Sequence, residues 1–151
     1  MARIKAYEYL KKYALSFGIG IVDEQTIDRI NIRNATMRAM EQALSMLNHM
    51  VEIVLIDGNM KINTDLPQET IVDGDKIHLS IASASIVAKV YRDSIMERYA
   101  KIYPWYGFDK NKGYGTKQHL DALKKYGPSP IHRRSFLKKL FSGQLDLPMD
   151  M

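Results

Sequence analysis

Apolar residues recur at helical spacing over the opening of the chain, at Ile4, Tyr7, Leu10, Ala14 and Phe17, and Gly18 follows directly. An apolar residue at every third or fourth position marks one buried stripe on a helix, and a glycine just beyond it is the usual stop. The pattern predicts an amphipathic helix over residues 3–17. Gly18 to Val22 (GIGIV) is a short apolar run that predicts a buried strand. Asp23 then offers a side-chain oxygen as N-cap to a short helical turn through Ile30. A second stripe, Ile32, Thr36, Met40, Ala43, Leu44 and Leu47, predicts a helix from about Asn34 to Asn48, with its methionines as core filler.

Val51 to Ile56 (VEIVLI) is rich in β-branched residues and breaks at Asp57-Gly58-Asn59, as a strand of an α/β sheet ends. Pro67 lies in a polar connector, and Glu69 to Val72 predicts a further short strand. Ser80 to Tyr103 is the longest helical stretch, with Ile81, Ala84, Ala88, Tyr91, Ile95 and Tyr99 on one side and Pro104 as its stop. Tyr106 to Tyr114 is a Gly, Asp, Asn and Lys segment, predicted as a loop. Thr116 caps a helix that ends at Tyr126-Gly127-Pro128. Strands alternating with helices predict α/β architecture in one domain, with a loose tail from Ser142.

Composition narrows the chemistry. The chain has no cysteine, which excludes disulfides, thiolate zinc sites and cysteine nucleophiles, so any metal must be held by oxygen or histidine. No apolar stretch approaches the roughly 18 to 20 residues of a membrane span, and the charged opening is unlike a signal peptide, so the expected location is cytoplasmic. Between Lys110 and Leu140 nine Lys or Arg stand against the single acid Asp121, although the whole chain carries only +5. A basic C-terminal third beside an acidic remainder suits a polyanion grip next to a cation-binding centre. A solvated helix face explains the charge equally well.

Asp57 ends a hydrophobic strand, and ligands of open α/β sheets gather at strand C-termini. It can equally start the Asp-Gly turn with its side chain bonded to local backbone. Asp73 and Asp75 flank Gly74 after the next apolar run, either as turn residues or as acids that meet Asp57 around one hard cation. Ser80, Ser83 and Ser85 bring hydroxyls to the start of the long helix, for capping or for phosphate. Tyr114, between Gly113 and Gly115 and close to Lys110 and Lys112, suits stacking on a sugar or base, or simple anchoring of its loop. Asp93 reads as a structural acid beside Arg92. His119 and His132 are too far apart in sequence to argue for a metal site, and His132, beside Arg133 and Arg134, reads as a polar contact near nucleic acid.

LIDGN at 55 to 59, GDKIHLSIASASIVAKVYRD at 74 to 93, NKGYGT at 111 to 116 and GPSPIHRRSF at 127 to 136 together resemble ribonuclease HII in order and spacing. GIGIVDEQTIDRINIRNATMRAMEQAL extends the likeness upstream. The resemblance implies a ribonuclease H-like mixed sheet flanked by helices over residues 1–141, with a basic helical part at about 116–141. It implies an endonuclease that cuts the RNA of RNA-DNA hybrids, and DNA at embedded ribonucleotides, by two-metal hydrolysis with Mg²⁺ or Mn²⁺, in DNA replication and repair. On it Asp57 and Asp75 are catalytic metal ligands and Tyr114 senses the 2′-hydroxyl. Ser85, Lys89 and Lys112 are substrate contacts.

The family also opens with two strands carrying an Asp-Glu pair and a Gly-Arg-Gly turn, which this sequence does not contain. Asp23-Glu24 is its one Asp-Glu dipeptide, is followed by Gln-Thr-Ile, and cannot be carried over. The expectation is therefore an N-terminally shortened member with an incomplete sheet, inactive or impaired by itself. Two alternatives stand beside it: a non-catalytic nucleic-acid-binding remnant, or a fragment that needs N-terminal complementation. Unpaired strand edges would also favour self-association.

Overall fold

The computed structural model describes residues 2–141, and the tail expected from Ser142 lies outside them. Two compact units emerge. One comprises the residues up to Val22 together with Ile30–Val90; the other comprises Asp23–Arg29 and the chain from Tyr91 onward. No helix among the described residues is long and apolar enough to cross a membrane.

In the first unit, α1 (Ala2–Tyr13) ends four residues earlier than the stripe predicts. The GIGIV segment after it is not a strand: it lies against α2 (Glu24–Ser45). A Cβ on Gly18 would fall 2.0 Å from the Ala43 carbonyl oxygen, and one on Gly20 would fall 1.7 Å from that of Ala39. The glycines of this run thus serve backbone-to-helix contact, and the Ile21 amide is satisfied by Gln42 Oε1 at 3.1 Å instead of by a strand partner. The two helices expected over residues 23–48 run together as α2 with a kink at Asn31 (φ 65°, ψ 165°), whose side chain accepts from the Asn34 amide. Asp23 accepts from Thr26 N at 2.7 Å, as an N-cap does.

β1 (Val54–Asp57) and β2 (Gln68–Ile71) pair in parallel, from Val54↔Gln68 to Asp57↔Ile71. Parallel neighbours usually need a helical crossover. Here a short connector is held by the Gln68 side chain, which accepts from Ile62 N at 2.9 Å and donates to Ile62 O at 3.0 Å. The one-turn α3 (Gly74–Ile77) then leads into α4 (Leu79–Ile102), whose first half belongs to this unit. On α4 the fully buried side chains are Ile81 and Val87, whereas Ala84 and Ala88 of the expected stripe are exposed.

The second unit contains the rest of α4, a 3-10 turn (Pro104–Tyr106), α5 (Phe108–Asn111), α6 (Lys117–Tyr126) and α7 (Arg134–Phe141). The segment expected to be a plain loop is thus largely helical turns, because buried aromatics fasten it. Tyr106, Phe108, Ala122, Leu123 and Leu137 form one core cluster, with Phe108 only 1% exposed. Buried Asn111 donates to Tyr106 O at 2.7 Å and accepts from Gly113 N at 2.8 Å, which satisfies its amide and fixes the turn. Thr116 Oγ1 accepts from His119 N at 3.3 Å at the start of α6, the expected cap. The chain is thus mixed α/β, mostly helical with a small parallel sheet, consistent with a ribonuclease H-like fold.

Candidate functional site

Asp57 is the last residue of β1, and its Oδ1 accepts from the Gly74 amide at 2.9 Å. The bond crosses to the segment after β2, so the side chain does not close its own Asp-Gly turn. Asp73 takes a left-handed conformation (φ 55°) that turns the chain, and Gly74 is buried against Ile81. A Cβ at Gly74 would stand 2.6 Å from Ile81 Cδ1, the movable tip of that side chain, and 3.5 Å from Asp57 Oδ1, an ordinary contact, so the segment packs closely here. The bond brings Asp57 to the residue directly before Asp75.

Asp75 Oδ2 lies 3.8 Å from Lys89 Nζ on α4, with the acid about one third exposed. Ser85, half-buried, precedes Lys89 by one helical turn. Asp57, Asp75 and Lys89 thus belong to one corner of the first unit, and Lys89 already faces an acid. Paired carboxylates suit a hard divalent cation such as Mg²⁺ or Mn²⁺, which takes its remaining oxygens from water and phosphate. Among the described residues, no group of three or more histidine or acidic side chains gathers as a metal centre would. Asp57 and Asp75 are oxygen donors of the type such a cation takes, and each is engaged within the chain, with the Gly74 amide and with Lys89.

In the second unit, Tyr114 is 67% exposed and the Arg92 guanidinium stands 4.9 Å from its ring centroid. A ring polarised by a cation and open to solvent suits stacking on a sugar or base. Its backbone is held at both ends: Tyr114 N donates to Asn111 O at 2.8 Å, and Tyr114 O faces His119 Nδ1 at 2.8 Å. Lys112, only 19% exposed on its side chain, is bonded to Glu97 Oε1 at 2.8 Å. That ammonium serves the loop first, and a phosphate would have to compete with Glu97. Lys110, Lys117, Lys124, Lys125, Arg134 and Lys138 are exposed, so the basic stretch presents its cations to solvent.

Sequence reasoning did not find the partnership of His119 with His132, whose Nε2 atoms lie 2.9 Å apart, or the role of Asp28. Asp28 accepts from Arg134 N at 2.7 Å and from the Ser135 amide and hydroxyl, and so caps α7 from a distant part of the sequence. The Ser135 hydroxyl, above all, holds its carboxyl below the ordinary carboxylate value. Burial, then the neighbouring His119, push the His132 imidazole down to about 4. None of these pairings has a local signal. For the histidines, the spacing of His119 three and four residues before Ala122 and Leu123, on one face of α6, was the one available hint.

The ribonuclease HII family model matches residues 2–139. A ribonuclease HII of Caldanaerobacter subterraneus subsp. tengcongensis is 52% identical over 141 residues, 93% of this chain and 58% of that protein. One of Clostridioides difficile is 49% identical over 138 residues, 91% of this chain and 54% of that protein. One of Syntrophus aciditrophicus is 49% identical over 137 residues, 91% and 65% of the two chains. The chain therefore spans between half and two thirds of the length of these relatives. A match this long, with Asp57, Asp75 and the glycine-flanked tyrosine inside it, leaves one assignment: the chain belongs to the ribonuclease HII family.

Proposed function

We propose that this chain supplies the acid pair and the ribose-reading loop of a cytoplasmic endonuclease that cuts RNA in RNA-DNA hybrids and DNA at embedded ribonucleotides. The observation that carries the reading is the Asp57–Gly74 bond, which draws the end of β1 to the residue beside Asp75. In the reaction a water oxygen bonds to the phosphorus on the 5′ side of a ribonucleotide and the bond to the departing 3′ oxygen breaks. The 3′ oxygen gains a proton, and the products are a 3′-hydroxyl and a 5′-phosphate. Divalent cations, when bound, supply charge neutralisation for the phosphoryl group and acidify the water. Asp57 and Asp75 act as their oxygen ligands, and Ser85 and Lys89 meet the substrate backbone. Tyr114 reads the 2′-hydroxyl, with Lys112 and the exposed lysines near phosphates.

A second reading is favoured by the engagement of both acids, Asp57 with an amide and Asp75 with Lys89. Two cations about 4 Å apart need more negative ligands than this pair provides. On that reading the chain by itself grips the duplex without cutting, and further carboxylates must come from elsewhere.

Incubation with a DNA duplex containing one ribonucleotide, with Mg²⁺ or Mn²⁺, separates the two. The assay is run with and without the N-terminal segment of the Caldanaerobacter relative supplied in trans. Cleavage that Asp57→Asn abolishes while binding persists supports the nuclease reading. Salt-sensitive binding with no cleavage in either arm leaves the binding reading. Tyr114→Phe is expected to weaken selectivity for the ribonucleotide, and unchanged selectivity removes Tyr114 from that role.

A further inference from the structure

A directional chain of hydrogen bonds runs through the second unit to the Tyr114 loop. Ser129 N lies 2.9 Å from His132 Nδ1, and a backbone amide can only donate. Neutral His132 must therefore carry its proton on Nε2. At the other end His119 Nδ1 lies 2.8 Å from Tyr114 O, and a carbonyl can only accept. Neutral His119 must carry its proton on Nδ1 and a lone pair on Nε2. The remaining contact, Nε2 to Nε2 at 2.9 Å, then has one donor and one acceptor. The Ser129 amide and the Tyr114 carbonyl have no choice of role, and together they favour opposite tautomers in the two rings.

We propose that His119 and His132 are positioning residues, a relay from the Ser129 turn that holds the Tyr114 backbone in its reading pose and that a single added proton dismantles. As a device of substrate recognition it rests on the reading of Tyr114 given above. A proton added to either ring presents N–H on both its nitrogens. His119 would then meet the His132 Nε2–H, or His132 would turn an N–H toward the Ser129 amide. The Ser129 hydroxyl, 2.7 Å from His132 Nδ1, can rotate to accept, but the amide cannot.

The surroundings keep His132 neutral. Tyr106 and Phe108 face both imidazoles at centroid distances from 5.0 to 6.3 Å, and the Tyr106 phenol is occupied with Gly127 O. On the open side of His132 the charged groups are Glu24 and Asp28 against Arg134, which line one cleft with it, and Arg133 next in sequence. These acids and bases oppose each other, and Asp28 is already bound to the start of α7. Burial therefore sets the balance for His132, with His119 adding to it.

The test uses the ¹⁵N-labelled chain, with ring-nitrogen correlations followed from neutral pH down through about 4. At neutral pH the proton is expected on Nδ1 of His119 and on Nε2 of His132, and the Tyr114 backbone signals should move with the titration of His132. Either opposite tautomer, or Tyr114 signals indifferent to that titration, overturns the relay. Two variants carry the test to function: His119→Phe keeps the aromatic packing and deletes both bonds, while His119→Asn offers an amide N–H in place of Nδ1–H. The binding preference for a duplex with one ribonucleotide over an all-DNA duplex should fall on the order of tenfold in His119→Phe and recover in His119→Asn. His119→Phe that keeps a preference which Tyr114→Ala abolishes also overturns the relay. A preference that survives Tyr114→Ala, with Tyr114 signals still following His132, removes the ribose reading and leaves the relay standing.

Discussion

The two units bury their apolar residues in different ways. In the second, Tyr106, Phe108, Ala122, Leu123 and Leu137 make a single cluster, and buried Asn111 and His119 have their polar atoms matched. In the first, the fully buried hydrophobics are the smaller Ala35, Ile56, Ile62, Ile81 and Val87, while Leu15, Met50 and Leu79 are more than 80% exposed. Aromatic side chains bury far more area each than alanine or valine, and a two-stranded sheet is marginal without further packing. The loop proposed to read the ribose therefore rests on a dense scaffold. The acid pair rests on a thin one, held by the Asp57–Gly74 bond.

That contrast can be broken most forcefully at Phe108. Phe108→Ala is expected to cost about 4 kcal/mol, as for a fully buried phenylalanine, and to lower the urea midpoint read by fluorescence of Trp105 in the same unit. Gly20→Ala, with a Cβ 1.7 Å from Ala39 O, is expected to cost about 3 kcal/mol by overpacking. The loss should appear in far-ultraviolet circular dichroism while the Trp105 transition stays in place. A joint shift of both signals would instead make the two units one cooperative whole.

Acid offers a third probe. The unfolded chain protonates His132 near 6.5 and the folded one only near 4, so this contribution is complete above 6.5 and declines as pH falls between those values. The loss is expected to reach about 2 kcal/mol, tempered by the ring's partial exposure, and to be read as a falling Trp105 midpoint that His132→Phe flattens. Asp28→Ala should have the smallest effect, about 1 kcal/mol for a lost helix cap, again confined to the second unit. The depressed carboxyl of Asp28 stabilises above its unfolded value of 3.8 and ceases to do so as pH falls through its folded value.

Much was legible before any coordinates. The long helix ending at Pro104, the Thr116 cap, the break of β1 at Asp57 and the second strand are local events, written in periodicity and turn chemistry that act over a few residues. The misread elements depended on distant partners. GIGIV has the composition of a strand, yet its glycines meet the backbone of α2, and the segment before Tyr114 has the composition of a loop, yet Phe108 and Tyr106 bury it.

The sequence by itself determined the family, the acid that ends β1, the glycine-flanked tyrosine and the basic stretch, because each is carried by residue type and order. Only the tertiary structure decided what those groups touch. It bound Asp57 to Gly74, set Lys89 against Asp75 and Lys112 against Glu97, and joined two histidines thirteen positions apart head to head. Hydrogen bonds and ion pairs act over a few ångströms of space, and separation along the chain does not report that distance.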